Sequence, residues 1–200
     1  MAWRISILQV ATTNLVAVVM GPCGVGKSAV AAEAARRMGG GFVEADDHHT
    51  AHAKARMAAG DALTDDARMP WLDRVGEAAR QAERPTIVAC SALKRQYRDR
   101  LRHVLGSVLF VHLTAPRQVI AERLAARRGH FAGAELLDSQ LATLEPLGPD
   151  EAGITLDVRA PLASVCETVL DFMAAQAVAN FKQDDGGATS NVIRQHMQGR

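Results

Sequence analysis

One eight-residue stretch constrains this 200-residue chain more than any other part of its sequence. Residues 21–28 read Gly-Pro-Cys-Gly-Val-Gly-Lys-Ser, which matches the pattern G-x-x-x-x-G-K-[S/T]. An apolar, β-branched run at Leu15–Met20 precedes it, and residues 27–38 favour a helix that ends at glycines 39–41. A strand, a glycine-rich loop and a helix in this order predict a loop that binds phosphate through backbone N–H groups.

The motif also predicts how a nucleoside triphosphate is held. We expect the Lys27 ammonium to reach the β- and γ-phosphates, and the Ser28 hydroxyl to contact Mg²⁺. The other expected nucleotide contacts come from the loop and the first turn of the helix: Gly21, Pro22, Cys23, Gly24, Val25, Gly26 and Ala29. ATP and Mg²⁺ are therefore the predicted cofactors, although the motif alone does not say what is done with the nucleotide.

Composition excludes several other classes of protein. Hydrophobic residues make up 48 % and charged residues 22 % of the chain, which is typical of a globular domain rather than a disordered or fibrous chain. Because 23 basic and 22 acidic residues leave a net charge of +1, we expect no nucleic-acid partner and no membrane-surface partner. No apolar run approaches the roughly 18–20 residues of a membrane span, and three scattered cysteines favour reduced thiols in the cytoplasm.

The rest of the chain continues the alternation of strands and helices. Further apolar runs predict strands at 42–44, 86–90, 108–113 and 154–158. Helices are predicted between and after them, at 51–59, 70–82, 93–105, 116–128, 134–144 and from 161 onward. Pro70 is expected to begin its helix, because a proline farther inside would remove a hydrogen bond. The order predicts an α/β fold of three layers, a P-loop NTPase fold with a central five-stranded parallel sheet flanked by helices.

Composition also suggests domain boundaries. Residues 1–14 are predicted to be an N-terminal extension, and residues 15–180 a single P-loop domain. An arginine-bearing segment at about 124–135 is predicted to form a small lid. Residues 181–200 include Asp-Asp-Gly-Gly and few large apolar side chains, which predicts a mobile C-terminal tail.

Acidic and histidine side chains follow the second predicted strand, at the edge of the sheet where α/β proteins bind ligands. Glu44 and Asp46 are two residues apart, so the alternation of a strand would point both side chains the same way. Asp46 is predicted to orient an acceptor hydroxyl and take its proton, and Glu44 to bind Mg²⁺ through water. Asp47 is the reserve candidate for either role, and His49 is expected to donate to a hydroxylated or anionic substrate. The alternative is a solvated loop that caps the next helix.

Basic side chains follow the third predicted strand. Ser91 and Lys94 come just before or at the start of a helix, whose N-terminus can hold a carboxylate or sugar hydroxyls. Arg98 lies one turn beyond Lys94 on the same helix. We therefore predict that all three residues contact the substrate.

A second basic group marks the predicted lid. Arg123 and Arg127 are four residues apart and share a helix face, and Arg128 and His130 follow. The arginines are expected to close over the triphosphate and stabilise the charge of the transferring phosphoryl group, and His130 to contact the substrate. The alternative is a solvated helix end that is favoured by the helix dipole.

Taken together, these residues resemble the gluconate kinase (gluconokinase) family, small P-loop kinases related to shikimate and adenylate kinases. The resemblance runs from about Leu15 to Phe172. Its Cys-Ser-Ala-Leu-Lys and Gly-His-Phe stretches are more specific than the phosphate loop alone. The stretches that carry it are Val18–Ser28, Asp46–His49, Lys54–Gly60, Leu63–Arg68, Pro70–Leu72, Val88–Arg102, Arg123–Phe131 and Leu136–Glu145.

The resemblance implies transfer of the ATP γ-phosphoryl group to the 6-hydroxyl of D-gluconate, which gives 6-phospho-D-gluconate and ADP. It also implies a mobile lid, dependence on Mg²⁺ and a homodimer in the cytoplasm. Arg56 stands where the family commonly has lysine, and we expect it to contact the substrate. The family pattern Gly-Asp-Asp-x-His-Pro-x-x-Asn is altered at three positions, by Ala45, Thr50 and Ala53.

Two other functions remain open from the sequence. One is a kinase of another small hydroxy acid, similar to shikimate kinase, although the Gly-rich turn of those enzymes is replaced here by Ser91-Ala-Leu-Lys94. The other is a non-catalytic nucleotide-binding module, which would need no acceptor site.

Overall fold

The computed structural model of the chain describes residues 15–59, 63–126 and 133–197. Predictions that concern the N-terminal extension at 1–14, and the roles of Arg127, Arg128 and His130, fall outside these residues.

Five strands form the sheet: β1 (Val16–Met20), β2 (Gly41–Glu44), β3 (Thr86–Ala89), β4 (Leu109–Thr114) and β5 (Gly153–Asp157). Their order is β2-β3-β1-β4-β5, and every neighbouring pair is parallel. All residues of β1 and β3 are buried, as expected for apolar strands covered on both faces. The predicted five-stranded parallel sheet is therefore confirmed.

Helices connect the strands and cover both faces of the sheet. The α-helices are α1 (Lys27–Met38), α2 (Ala51–Ala58), α3 (Asp65–Gln81), α4 (Arg95–Leu105), α5 (Arg117–Ala125), α6 (Gly133–Thr143) and α7 (Leu162–Met197). A short 3₁₀ helix, Ala45–His48, follows β2 directly.

Side chains of β1 alternate between two hydrophobic cores, one on each face of the sheet. Ala17 and Val19 lie in the core that includes α1, α5 and the buried residues of α7. Val16 and Val18 lie in the opposite core, which includes Trp71 of α3 and buried residues of α4. Full burial of an aliphatic side chain contributes about 1.5–3 kcal/mol, so the two cores hold β1 and the loop that follows it in a fixed place.

The start of α3 differs from the prediction. The helix begins at Asp65, and Pro70 lies inside it. The Thr64 hydroxyl caps the helix by accepting a hydrogen bond from the Ala67 N–H (3.3 Å). The negative charges of Asp65 and Asp66 in the first turn stabilise the positive end of the helix dipole. The prediction that Pro70 begins the helix was wrong, because Thr64 caps the helix before it and the helix continues through Pro70 despite the hydrogen bond that the proline removes.

The last helix, α7, is long and partly apolar. Its segment Leu162–Asn180 could cross a membrane by length and composition alone. Two residues of this segment, Val169 and Met173, are fully buried in the core that α7 shares with α1. The helix continues to Met197 and so includes residues of the predicted tail, whose mobility stays a prediction.

The strand register brings the ends of three strands together at one edge. Glu44 of β2 is level with Ala89 of β3, which is level with Val19 of β1. Because neighbouring strands lie about 4.8 Å apart, the ends of β2 and β1 are separated by roughly 10 Å. β1 is central, with β3 on one side and β4 on the other, and this is where open α/β sheets form a ligand crevice.

Candidate active site

The loop at residues 21–26 joins β1 to α1 in a conformation that requires glycine. Gly24 has φ +78°, and a Cβ there would lie 2.5 Å from the Leu124 Cγ of α5. Gly21 has φ +138°, and its Cβ would lie 2.6 Å from the Leu113 carbonyl oxygen. Both positions therefore exclude side chains for reasons of conformation and of space, so the loop can present backbone N–H groups to an anion.

Lys27, the first residue of α1, is half-buried beside this loop. Its Nζ donates a hydrogen bond to the Pro22 carbonyl oxygen (3.0 Å). Burial lowers the pKa of Lys27, and the negative charges of Asp46 and, more weakly, Glu44 act in the opposite direction. The structure thus brings the loop lysine and the two predicted carboxylates close enough for their charges to interact.

The carboxylates do not share a strand, however. β2 ends at Glu44, and Asp46 lies in the 3₁₀ helix, so the predicted alternation of the two side chains does not apply. The Trp71 Nε1–H of α3 donates to the Ala45 carbonyl oxygen (2.8 Å) and holds this turn in place. The Asp46 side chain is 85 % exposed, so its carboxylate faces the solvent at the edge of the sheet, where a substrate can reach it.

His49 lies between Asp46 and the aromatic ring of Trp71. Its ring stacks on Trp71 with the centroids 4.3 Å apart and an angle of 8° between the planes. Its Nε2 lies 3.9 Å from Asp46 Oδ1. Burial lowers the pKa of His49, which favours the neutral imidazole, and its buried Nδ1 has no hydrogen-bond partner among the residues that the structure describes. A neutral ring can both donate and accept hydrogen bonds, which suits a hydroxylated ligand.

A pocket of about 200 Å³ opens beside this stacked pair. Its wall includes His49 and Trp71 together with His52, Arg56 and Arg74. The Arg74 Nε–H donates to the His48 carbonyl oxygen (2.9 Å), which fixes the guanidinium at the pocket. An aromatic surface with basic groups around it is suited to a small anion that also carries hydroxyls.

Lys94 and Ser91 lie where β3 ends, and both are engaged within the fold. Lys94 Nζ donates to both carboxylate oxygens of Asp65 (2.7 and 2.9 Å), and the Tyr97 hydroxyl donates to the same group (2.5 Å). The hydrogen bonds from Lys94 and Tyr97 lower the pKa of Asp65 to about 2. The Ser91 carbonyl accepts from the Gly21 N–H (3.2 Å), which places Ser91 beside the phosphate loop. Substrate contacts of Lys94 and Ser91 stay predictions.

The structure corrects the predicted role of Arg98. Its side chain is fully buried and forms a bidentate ion pair with the buried Glu151 carboxylate (2.6 and 2.9 Å). The remaining guanidinium N–H groups donate to backbone carbonyls of Ala92, Leu93, Glu145 and Pro146. Because all five donors are in use, Arg98 holds the segment before α4 against the segment before β5 and has no donor for a substrate.

Arg123 also bonds within the fold. Its guanidinium donates to the Val25 carbonyl oxygen of the phosphate loop (3.4 Å) and to the Val158 carbonyl oxygen (2.7 Å). This places Arg123 next to the loop, as expected for a residue near the triphosphate, and its contact with nucleotide stays a prediction. Its predicted neighbours Arg127, Arg128 and His130 lie outside the described residues.

The sequence reasoning missed two residues that the structure brings to the site. Arg74 lies one helical turn beyond Trp71, so a basic residue three positions after an aromatic one was the available signal. Gln140 of α6 contacts the phosphate loop through its side chain, and Cys23 N–H donates to its Oε1 (2.6 Å). Gln140 falls within a stretch that carried the family resemblance, but no role followed from that match.

The central parallel sheet and the glycine loop beside a half-buried lysine define a P-loop nucleotide-binding protein. A family model described as an AAA domain matches residues 16–147. The chain is 37 % identical to the thermoresistant gluconokinase of Escherichia coli K12 over 158 residues, which cover 77 % of this chain and 90 % of that one. It is 44 % identical to the gluconokinase of Gluconobacter oxydans over 137 residues, or 67 % and 77 % of the two chains. The chain therefore belongs to the gluconokinase family.

Solved structures agree with this result. A gluconokinase from Sinorhizobium meliloti superposes with a TM-score of 0.78 at 40 % identity, covering 86 % of this chain and 98 % of that one. A shikimate kinase from Acinetobacter baumannii superposes with a TM-score of 0.59 at 14 % identity, covering 84 % and 98 %, which shows a shared fold alone. The resemblance noted from the sequence is confirmed.

Proposed function

We propose that the protein is an ATP-dependent gluconokinase that transfers the γ-phosphoryl group of ATP to the 6-hydroxyl of D-gluconate. The observation that carries the proposal is the exposed Asp46 carboxylate, which lies close enough to the loop lysine, Lys27, for their charges to interact and which adjoins a basic pocket. The names of the similar proteins support gluconate as the acceptor.

The nucleotide is held by the phosphate loop. Backbone N–H groups of residues 24–29 surround the phosphates, and the Lys27 ammonium leaves the Pro22 carbonyl to neutralise the β- and γ-phosphates. Arg123, which already contacts the loop, together with Arg127 and Arg128 from the lid, stabilises charge on the transferring group.

The acceptor lies in the pocket beside Trp71. Its carboxylate is bound by basic groups that include Arg56, and its hydroxyls by His49. The 6-hydroxyl oxygen attacks the γ-phosphorus, the bond from that phosphorus to the oxygen of ADP breaks, and Asp46 accepts the hydroxyl proton. Asp47, Ser91, Lys94 and, from the lid, His130 complete the predicted substrate contacts.

The residues near Lys27 also fit Mg²⁺. No group of three or more His, Cys, Asp or Glu side chains in the described part of the chain could hold a metal by itself. Mg²⁺ commonly takes most of its oxygen ligands from phosphates and water, so the Ser28 hydroxyl, with Glu44 through water, is a sufficient protein share. When bound, the ion neutralises negative charge on the β- and γ-phosphate oxygens.

A coupled assay of ADP release tests this function across D-gluconate, shikimate, AMP and related sugar acids. We expect turnover with D-gluconate and little with the others. A good rate on another acid would overturn the acceptor and keep the class of enzyme. Nucleotide binding in calorimetry without transfer to any acid would favour a binding module instead. The same proposal includes a homodimer in the cytoplasm, and light scattering checks its mass.

A further inference from the structure

A side chain from α6 bonds directly to the phosphate loop. The Cys23 backbone N–H, in the middle of the loop, donates to Gln140 Oε1 at 2.6 Å, across 117 positions of the sequence. The proposed function uses backbone N–H groups of this loop for phosphate, yet it gives Gln140 no role. Gln140 therefore either contacts a phosphate group directly or serves only to position the loop.

Packing that involves no nucleotide holds Gln140 at the loop. Leu137, three positions earlier on α6, is fully buried in the core, and Leu141 packs against the same core. On the other side, Asp138 forms a bidentate ion pair with Arg117 at the start of α5 (2.6 and 2.8 Å). These contacts fix α6, and with it Gln140, beside the loop without any contribution from nucleotide.

The contact with Cys23 also orients the glutamine amide. The Cys23 N–H is a donor, so the atom it contacts is the carbonyl oxygen, and the amide cannot be reversed without losing the bond. The Nε2 group of Gln140 therefore points elsewhere with two N–H donors, and it has no hydrogen-bond partner among the residues described. Two uncommitted donors beside a phosphate loop are suited to phosphate oxygens.

The position of Cys23 indicates which phosphate is involved. The start of α1, at Lys27, is the end of the loop that cradles the α- and β-phosphates. Cys23 lies toward the other end of the loop, where we expect the terminal phosphoryl group of a bound nucleotide. We propose that Gln140 is part of the ATP site: its carbonyl positions the loop through Cys23, and its NH₂ group donates to the terminal phosphoryl group. This inference rests on the proposed use of ATP.

Calorimetric binding of two nucleotides tests the inference on the full-length chain with Mg²⁺. The probes are ADP and a non-hydrolysable ATP analogue, and the variants are Gln140→Ala and Gln140→Glu. Gln118→Ala is the matched control, because Gln118 lies on the exposed part of α5 and bonds only to Glu122 among the described residues. Thermal unfolding checks that each variant folds.

We expect Gln140→Ala to weaken binding of the ATP analogue about tenfold, since donors to a charged group are lost, and to change ADP binding less than twofold. Gln140→Glu keeps an acceptor for the Cys23 N–H but places a negative charge at the phosphate, so it should weaken the analogue further. The control should bind both nucleotides as the unaltered protein does.

Two results would overturn the inference. Equal or tighter binding of the analogue by Gln140→Ala would mean that the glutamine competes with phosphate for Cys23. Equal weakening of both nucleotides would mean that it acts only through the shape of the loop. Neither readout needs an acceptor, so a failure of gluconate phosphorylation with the ATP-specific loss intact would overturn the proposed function and leave this inference standing.

Discussion

Asp46 illustrates how one side chain acquires a chemical role from its surroundings. Burial against Trp71 lowers the pKa of its neighbour His49, while Asp46 itself stays exposed. The buried ring therefore fixes the turn, and the carboxylate remains free to meet an acceptor. Lys27 supplies the opposite charge on the phosphate side.

Replacing Asp46 by Asn should lower kcat by about 10²–10⁴, because the amide cannot accept the hydroxyl proton. The KM for ATP should change little, since the phosphate loop is untouched. Steady-state kinetics with D-gluconate measure both. The matched control is Asp171→Asn on the exposed side of α7, which should leave both constants unchanged. An active Asp46→Asn enzyme would show that another group takes the proton.

The ion pair between Arg98 and Glu151 joins α4 to the segment before β5. Both side chains are fully buried, and burial opposes ionisation of Glu151, but the hydrogen bonds from Arg98 prevail and lower its pKa. Such a pair fixes the segment that contains Leu93, whose carbonyl oxygen also accepts a hydrogen bond from the Glu145 N–H.

Glu151→Gln should lower the free energy of unfolding by about 3 kcal/mol, because the buried Arg98 charge loses its partner. The exposed pair of Glu77 and Arg80 offers a control, and Glu77→Gln should cost at most about 1 kcal/mol. Urea denaturation measures both changes. A loss of equal size in the two variants would contradict the assigned importance of the buried pair.

Asp65 joins the start of α3 to the start of α4 through hydrogen bonds from Lys94 and Tyr97. Its pKa of about 2 lies below the ordinary value of 3.8, so the folded state binds a proton less readily than the unfolded chain. The stabilisation is therefore complete above about pH 4 and is lost as the pH falls toward 2.

The Asp65→Asn variant should consequently show a flatter dependence of Tm on pH between pH 4 and pH 2 than the unaltered protein. Differential scanning calorimetry across this range tests the expectation, with Asp171→Asn as the control that keeps the original slope. Identical slopes for the Asp65 variant and the unaltered protein would mean that the contact with Lys94 adds no stability.

Across the whole chain, local sequence patterns correctly predicted the elements whose formation depends on residues that are close together in sequence. The strands, the phosphate loop and α1 followed from apolar runs and glycines, and α1 has the predicted bounds, 27–38. Long-range partners were not visible. Arg98 meets Glu151 across 53 positions, and Gln140 meets Cys23 across 117, so nothing nearby in the sequence indicated either contact.

One further prediction, the start of α3, was wrong because two local signals for a helix start lie close together in the sequence. Pro70 is a sound helix-start signal by itself, yet the Thr64 cap begins α3 earlier. In the same way, the alternation expected of Glu44 and Asp46 failed because a 3₁₀ helix replaces the end of the strand, although both carboxylates still act on Lys27. The 3₁₀ turn that begins at Ala45, rather than the side-chain alternation of a strand, therefore places the two carboxylates near Lys27.

Phosphorus NMR of a mixture of ATP, Mg²⁺, D-gluconate and the protein follows the proposed phosphoryl transfer itself. We expect the γ-phosphate signal of ATP to be replaced by the signals of ADP and of a phosphomonoester on the 6-oxygen of gluconate, and Asp46→Asn to slow this conversion. Persistence of the ATP signals, with nucleotide demonstrably bound and gluconate unchanged, would contradict it.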